Sequence, residues 1–279
     1  MAERPARIGA PELRIDGPAK VTGAAIFPSD APFADCAYAV LVLSTIARGR
    51  VTGFDLARAG AVRGVIDILT HENVGQLVHT PPSPSGQGAT TTTLESDKVW
   101  FAGQIVAIVL AETFEAASEG ALAVKVAYAP EPPASGFDSP GAVTQSVKSA
   151  QPGHEDPAVG MAEVAFAAAP VTIDARYSTP TQHHNPMELF TTACAWEGDR
   201  LIVHESSQYV TGLRASLAKQ IGVDPKSIRV LSKYIGGAFG SRGAITSRTA
   251  WIAIAARRLG RPVKLAAARD HGFTIATYR

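Results

Sequence analysis

The apolar and polar positions in the first half of the chain predict several strands and two helices. Short apolar runs bounded by turn residues are typical of strands, and residues 37–44 (AYAVLVLS) are the clearest case. A short helix is predicted at residues 56–61 and a longer one at 113–126, where Thr113 can cap the first turn. The predicted strands of this half are residues 20–27, 37–44, 51–55, 65–70 and 99–111.

The second half repeats this mixture of strands and helices around a glycine-rich stretch. Helical spacing of apolar residues predicts helices at residues 208–221 and 244–258. Between the strand at 228–234 and the second of these helices lies the sequence IGGAFGSRG, at residues 235–243. The other predicted strands of this half are residues 171–177, 191–196, 201–205 and 262–267.

A polar stretch rich in proline and glycine separates the two halves, which is typical of a linker. We therefore predict a first domain at residues 15–130, a linker at 131–158 and the beginning of a second domain at 159–279. The predicted fold class is α+β, a mixture of helices and strands.

The glycine-rich stretch is the best candidate for a binding site. Four glycines within eight positions allow positive φ angles and a close approach to a ligand, and the helix that follows favours an anion at its start. This combination predicts a loop that holds a phosphate or pyrophosphate of a cofactor. The spacing fits neither a Walker A loop nor GxGxxG, so a plain tight turn remains the alternative. Phe239 favours the binding site, because an aromatic side chain exposed inside such a loop needs a partner.

Composition and charge exclude several other classes of protein. The net charge of +1 and the scattered arginines give no indication of a nucleic-acid or acidic-membrane surface. The two cysteines, Cys36 and Cys194, form no CxxC motif, so this chain's thiols predict neither an iron–sulfur cluster nor a zinc site. No apolar run is long enough to span a membrane, and the first residues do not have the pattern of a secretory signal.

Three polar clusters are candidates for metal binding, ligand binding or catalysis. In residues 182–188 (QHHNPME), adjacent His183 and His184 diverge, so a turn in which Glu188 satisfies buried groups is favoured over a metal site. Gln208 follows two serines at a predicted helix start, where it can offer a donor and an acceptor to a ligand or face solvent. Residues 269–271 (RDH) are interpreted as a surface turn. No nucleophile motif or acid–base pair is evident.

Four motifs in order resemble the molybdenum-cofactor-binding large subunit of the xanthine dehydrogenase and aldehyde oxidoreductase family. Residues 14–23 (RIDGPAKVTG) are similar to the start of that family's N-terminal α/β hammerhead domain, and 97–107 (DKVWFAGQIVA) to its central strand. Residues 182–188 resemble its histidine-containing turn, and the stretch from Gln208 to Gly240 its cofactor segment. The resemblance therefore implies a hammerhead domain followed by the first part of a molybdopterin-binding domain.

The resemblance also implies roles for particular residues. Gln208 would hydrogen-bond an oxygen ligand of molybdenum, and Phe239 would lie near the metal, although neither would be a direct metal ligand. The other residues implied to bind the cofactor are Gly236, Gly237, Ala238, Gly240 and Arg242. Four residues depart from the family pattern: Ala238 stands for a glycine, Ser241-Arg242 for Gly-Lys, and Leu189 for a proline.

The implied activity is oxidation of an aldehyde to a carboxylic acid with oxygen from water. The implied cofactor is molybdopterin cytosine dinucleotide, with iron–sulfur and FAD groups on partner subunits. Gly243 stands where purine-oxidising members have a glutamate, so a purine substrate is disfavoured. The family's catalytic glutamate lies far downstream, so we expect no catalytic residue in this chain and no turnover by it alone.

Several alternatives remain open. An isoquinoline-type hydroxylase subunit, a non-catalytic module that docks a partner, and a generic phosphate-binding enzyme using residues 236–243 are each compatible with the sequence. A downstream chain that completes the large subunit is a further expected partner. The expected compartment is the cytoplasm, with the periplasm as the alternative if the chain is exported with a partner.

Overall fold

The fold was analysed in a computed structural model, which describes residue 9 and residues 11–79, 93–136, 138–143, 159–243 and 247–277. Most of the loop predicted at 78–93, most of the linker and the start of the helix predicted at 244–258 lie outside these residues.

A seven-stranded mixed sheet organises the described residues. Its order is β3-β5-β1-β10-β7-β8-β9, with β1–β10 and β8–β9 parallel and the other neighbours antiparallel. β5 is buried at every position, because it lies in the interior of the sheet and both of its faces are covered. The strands of this sheet are β1 (Ala37–Leu43), β3 (Val65–Thr70), β5 (Ile105–Ala111), β7 (Thr191–Glu197), β8 (Arg200–Glu205), β9 (Ile228–Leu231) and β10 (Val263–Ala266).

A smaller three-stranded antiparallel sheet lies in the first half of the chain. It has the order β4-β2-β6, and the central strand carries an irregularity between Val51 and Gly53. Its strands are β2 (Gly49–Asp55), β4 (Lys98–Val99) and β6 (Lys125–Pro130).

Three helices, Phe114–Ala123, Val210–Ile221 and Arg248–Leu259, pack against the strands of the large sheet, whereas the helix Ala162–Ala168 is exposed. The Thr113 hydroxyl accepts a hydrogen bond from the N–H of Ala116, which caps α4. The last helix, α7, is buried along most of its length, and Trp251 at its centre is fully buried in the main core. The helices are α1 (Gly17–Val21), α2 (Ala57–Gly60), α3 (His71–Val74), α4 (Phe114–Ala123), α5 (Ala162–Ala168), α6 (Val210–Ile221) and α7 (Arg248–Leu259).

The mixed α/β architecture confirms the predicted fold class. Strands from both halves share one sheet, because β1 pairs with β10 across the predicted linker (Ala37 opposite Val263). The two predicted domains are therefore joined by backbone hydrogen bonds within one sheet. The predicted domain boundaries stay a prediction.

Two predicted strands are wrong. Residues 20–27 contain no strand; α1 instead ends at Val21, because Pro18 favours a helix start and Lys20 pairs with Asp16 one turn earlier. Residues 171–177 are also outside any strand, since no described strand lies beside them. The two helices predicted in the second half begin later than expected, at Val210 and Arg248.

Stability should depend on pH through His204, which is half-buried on β8 with its ring edge-on to Phe33. Burial, and then the charges of Lys264 and Arg229, lower the pKa of His204 below its usual value of 6.5. The unfolded chain therefore binds more protons in this range, and the free energy of unfolding should decrease as pH falls through 6.5. Urea unfolding at pH 7.5 and 5.5 measures the decrease. His204→Gln should reduce it, and an equal decrease in both proteins would contradict this role.

Candidate cofactor site

The glycine loop connects β9 to α7 and has an unusual backbone. Gly237, Phe239 and Gly240 have φ angles of +101°, +55° and +108°. Positive φ costs glycine little but strains phenylalanine. Ala238 has a negative φ, which is why alanine is tolerated where the family pattern has glycine.

The loop presents a row of backbone donors. The N–H groups of residues 237–240 have no acceptor among the described residues, whereas the flanking N–H groups of Gly236 and Ser241 are bonded within the protein. The sign of φ changes from Gly237 to Ala238 and again to Phe239, and successive N–H groups on a backbone of this kind can form a concave anion-binding surface. The arrangement therefore suits phosphate oxygens or the polar edge of a pterin.

The turn at residues 182–188 forms the floor of this loop. Added Cβ atoms show how close the two segments are: one on Gly236 would lie 2.6 Å from the Glu188 Cβ, and one on Gly240 3.2 Å from the His184 Nε2. On Gly237 it would lie 3.3 Å from the Pro186 Cβ. A side chain at Gly236 would force Glu188 to move, whereas at Gly237 and Gly240 the positive φ and a tight contact both disfavour a side chain.

Glu188 ties the turn to the loop. Its carboxylate accepts hydrogen bonds from the Gly236 N–H at 2.7 Å and from the Ser206 hydroxyl at 2.5 Å. Its own N–H donates to the carbonyl oxygen of Gly236 at 3.0 Å. The interpretation that Glu188 satisfies buried groups is confirmed. Among the described residues, no cluster of three or more His, Cys, Asp or Glu side chains is arranged to hold a metal ion.

Arg242 supports the loop from its buried side. Its guanidinium is buried and donates to the carbonyl oxygens of Gly237 at 3.0 Å and Glu188 at 2.7 Å, and it stacks on the Phe190 ring. Burial lowers the pKa of Arg242, an effect that the Glu188 charge partly offsets. The Nη1 atom has no partner in the described part of the chain. Arg242 therefore supports the loop from beneath, and its predicted contact with a cofactor stays a prediction.

A second buried ion pair lies beneath Arg242. Arg248, in the first turn of α7, donates to Glu205 at 2.8 Å, and the same carboxylate accepts hydrogen bonds from Thr192 and Thr249. A cavity of about 10 Å³, room for one water, lies between the two arginines. Ser247, Arg248 and Thr249 at the start of α7 are buried, so the N–H groups of the loop, rather than the start of the helix, are the candidate anion donors.

Gln208 lies beside the loop, as the sequence predicts. Its backbone N–H donates to the carbonyl oxygen of Arg242 at 3.0 Å, while its side chain is exposed. Phe239 is also exposed, with 74% of its surface accessible. The side chains of Gln208 and Phe239 are therefore both accessible to solvent and are not packed into the interior of the protein.

Sequence analysis missed the contribution of Arg269. Its guanidinium donates to Asn185 Oδ1 at 3.0 Å and to the Met187 carbonyl oxygen at 2.7 Å, so it fixes the turn beneath the loop. Arg269 and Asp270 are exposed, as predicted for a surface turn, whereas His271 is partly buried in a short 3₁₀ helix (Asp270–Phe273). The signal available in the sequence was only an arginine after a strand, which does not reveal a partner more than 80 residues away.

The strained Phe239 leads to a stability prediction. Phe239→Gly should stabilise the chain by roughly 0.5–1 kcal/mol, because relief of the positive φ exceeds the entropy that glycine adds to the unfolded state. Phe239→Ala keeps the strain and loses only an exposed ring, so it should change stability by less than about 0.5 kcal/mol. Urea unfolding of the three proteins distinguishes them. A glycine variant less stable than the alanine variant would show that Phe239 is not strained.

Two family descriptions match adjacent parts of the chain. "Aldehyde oxidase and xanthine dehydrogenase, a/b hammerhead domain" matches residues 22–132, and "Molybdopterin cofactor-binding domain" matches residues 146–279. The site described above lies entirely within the second match. None of the helices in the described part of the chain has the length and hydropathy of a membrane span.

Curated relatives are longer proteins. The aldehyde oxidoreductase molybdenum-binding subunit PaoC of Escherichia coli K12 is 36% identical over 262 residues, which cover 92% of this chain and 34% of PaoC. The aldehyde oxidoreductase of Megalodesulfovibrio gigas is 28% identical over 264 residues, covering 88% of this chain and 29% of that protein. The chain thus spans about a third of the length of these relatives.

Solved structures share the fold. Quinoline 2-oxidoreductase from Pseudomonas putida 86 gives a TM-score of 0.79 at 22% identity and covers 97% of this chain and 36% of that one. The aldehyde oxidoreductase from Desulfovibrio gigas gives 0.76 at 22% identity, with coverage of 95% and 31%. With its hammerhead domain and the beginning of a molybdopterin-binding domain in the expected order, the chain belongs to the xanthine dehydrogenase and aldehyde oxidoreductase family of molybdenum-dependent oxidoreductases.

Proposed function

We propose that this chain supplies the first cofactor loop of a molybdenum hydroxylase subunit that oxidises aldehydes to carboxylic acids with oxygen from water. The observation that carries the proposal is the row of N–H groups at residues 237–240 that have no acceptor among the described residues, near the exposed side chains of Phe239 and Gln208. The similarity to PaoC, whose name describes an aldehyde oxidoreductase, supports the aldehyde as substrate. The proposed form of the cofactor is molybdopterin cytosine dinucleotide.

The residues present fit this group. The backbone donors of residues 237–240 would hold its polar oxygens, and the exposed Gln208 amide would donate a hydrogen bond to an oxygen beside the metal. The Phe239 ring would cover the site from the solvent side. When bound, the cofactor supplies the two-electron oxidation of the substrate. The chain's own part is to bind and orient it, because the described residues of the loop and its floor present no free carboxylate to act as a base.

The rest of the proposed enzyme lies outside this chain. We propose that the catalytic glutamate is contributed by the segment that follows the matched third in the relatives, and that partner subunits carry iron–sulfur and FAD groups. The proposed compartment is the cytoplasm, with co-export to the periplasm as the alternative, and cell fractionation distinguishes the two.

Complementation tests the proposed activity. The 279-residue chain is produced in a host that makes the cofactor, alone or with the remaining two thirds of PaoC as a second polypeptide, and aldehyde-dependent dye reduction is measured. We expect no turnover by the chain alone and turnover of aldehydes by the pair. Preferred turnover of isoquinoline would identify an N-heterocycle hydroxylase instead. A cofactor-loaded pair that oxidises neither substrate would favour a docking module and contradict the proposal.

A further inference from the structure

An apolar segment before the cofactor site is exposed to solvent. Every residue from 159 to 183 is exposed, in contrast to the buried strands that follow. We call residues 169–180 of this stretch the exposed segment. Its largest apolar side chains are highly accessible, with Val171, Ile173 and Tyr177 exposed by 78%, 81% and 86%. Exposed apolar surface of this extent is typical of an interface whose partner is missing.

The exposed segment has the sequence pattern of a strand that is buried on one face. Apolar residues alternate with polar ones from Val171 to Ser178, so that Val171, Ile173 and Tyr177 share one face, while Thr172 and Asp174 share the other. The structure leaves residues 169–180 without a partner strand among the described residues. The sequence pattern predicts a strand, but the structure shows no neighbouring strand among the described residues. This difference is expected if the neighbouring strand belongs to another polypeptide segment.

The position of the exposed segment relates it to the cofactor site. It leads directly into the turn at residues 182–188, which forms the floor of the glycine loop through Glu188 and Pro186. A neighbour that pairs with this segment would therefore lie close to the turn that supports the glycine loop. The missing neighbour is therefore expected to come from the part of the enzyme that completes the site.

We propose that residues 171–177 form a docking strand for the portion of a full-length subunit that follows the matched third in the relatives. The chain covers only 34% of PaoC and 36% of the structurally similar quinoline 2-oxidoreductase, so most of each protein lies outside the match. That remaining portion is the proposed occupant, and it adds a strand that covers Val171, Ile173 and Tyr177. The inference rests on family membership and on the proposed completion of the subunit, and is independent of the substrate.

Two single substitutions on opposite faces of the segment test the docking strand. Ile173→Lys places a charge on the apolar face, and Thr172→Lys places the same charge on the polar face one residue away. Both side chains are exposed, so neither change should affect folding of the chain itself. Binding to the remaining two thirds of PaoC, as a separate polypeptide, is measured by analytical ultracentrifugation with hydrogen exchange of the complex.

We expect a one-to-one complex in which the amides of residues 171–177 become protected. Ile173→Lys should weaken binding at least tenfold, and Thr172→Lys less than twofold. Equal effects of the two substitutions, a complex without protection of this segment, or no complex at all would overturn the proposal. So would self-association of the chain that Ile173→Lys abolishes, since the partner would then be a second copy. A complex that forms as expected but lacks dye reduction would contradict only the proposed activity.

Discussion

Glu205→Gln should destabilise the chain by about 3–5 kcal/mol, the largest effect of a single substitution that we expect from the structure. The Arg248 guanidinium is almost fully buried and its ion-pair partner is Glu205, at 2.8 Å. Removal of the negative charge leaves a buried cation without compensation, and the hydrogen bonds from Thr192 and Thr249 lose their charged acceptor. Urea unfolding of wild type and variant gives the difference in the free energy of unfolding.

Glu112→Gln is the matched control. Glu112 also pairs with an arginine, Arg261, but its side chain is 53% exposed, so its removal should cost less than about 1 kcal/mol. A second check is the double variant Glu205→Leu with Arg248→Met, which removes both charges and should recover most of the lost stability. Similar losses for Glu205→Gln and Glu112→Gln would show that burial does not determine the strength of these pairs.

Gly237→Ala should weaken cofactor binding at least tenfold, which corresponds to about 1.4 kcal/mol of binding free energy, and so lower the molybdenum and pterin content of the purified protein. The φ angle of +101° is unfavourable for alanine, and the added Cβ would lie 3.3 Å from the Pro186 Cβ. The loop must shift to relieve both, and the shift moves the N–H groups of residues 237–240 out of alignment. Molybdenum is measured by mass spectrometry and the pterin by fluorescence after oxidation.

Gly222→Ala is the control that distinguishes a damaged cofactor site from a general loss of stability. Gly222 also has a positive φ, +68°, at the end of α6, and an added Cβ there meets nothing within 4 Å. This variant should lose stability for the same backbone reason but keep its cofactor. An unchanged cofactor content in Gly237→Ala, or equal losses in the two variants, would mean that the loop does not bind the cofactor.

The glycine loop of the candidate site could be predicted from the sequence because it is local. Gly237, Phe239 and Gly240 lie within one short segment, and an aromatic residue among glycines favours an exposed binding loop. The family pattern linked this loop to Gln208 and to the turn that ends at Glu188. The structure then showed why these distant segments occur together, since Glu188 and the backbone of Gln208 are both hydrogen-bonded to the loop.

The features that sequence analysis missed depend on long-range contacts. The sheet that joins both halves requires β1 to pair with β10, more than 200 residues away, and no periodicity reveals such a pairing. Arg269 is hydrogen-bonded to the distant turn at residues 182–188. Arg242 and Arg248 stack on Phe190, which is also far from them in the chain. The strand predicted at residues 20–27 is wrong because Pro18 and a local ion pair favour a helical turn, which outweighs the strand propensity of these residues.

The molybdenum and pterin content of the chain, purified together with the remaining two thirds of PaoC from a host that makes the cofactor, is the most direct test of the glycine loop as a cofactor site. We expect molybdenum and pterin in equal amounts, approaching one of each per complex, and release of cytidine monophosphate on mild acid treatment. A stable one-to-one complex that contains neither molybdenum nor pterin would contradict the assignment of residues 236–243 and Gln208 as a cofactor-binding site.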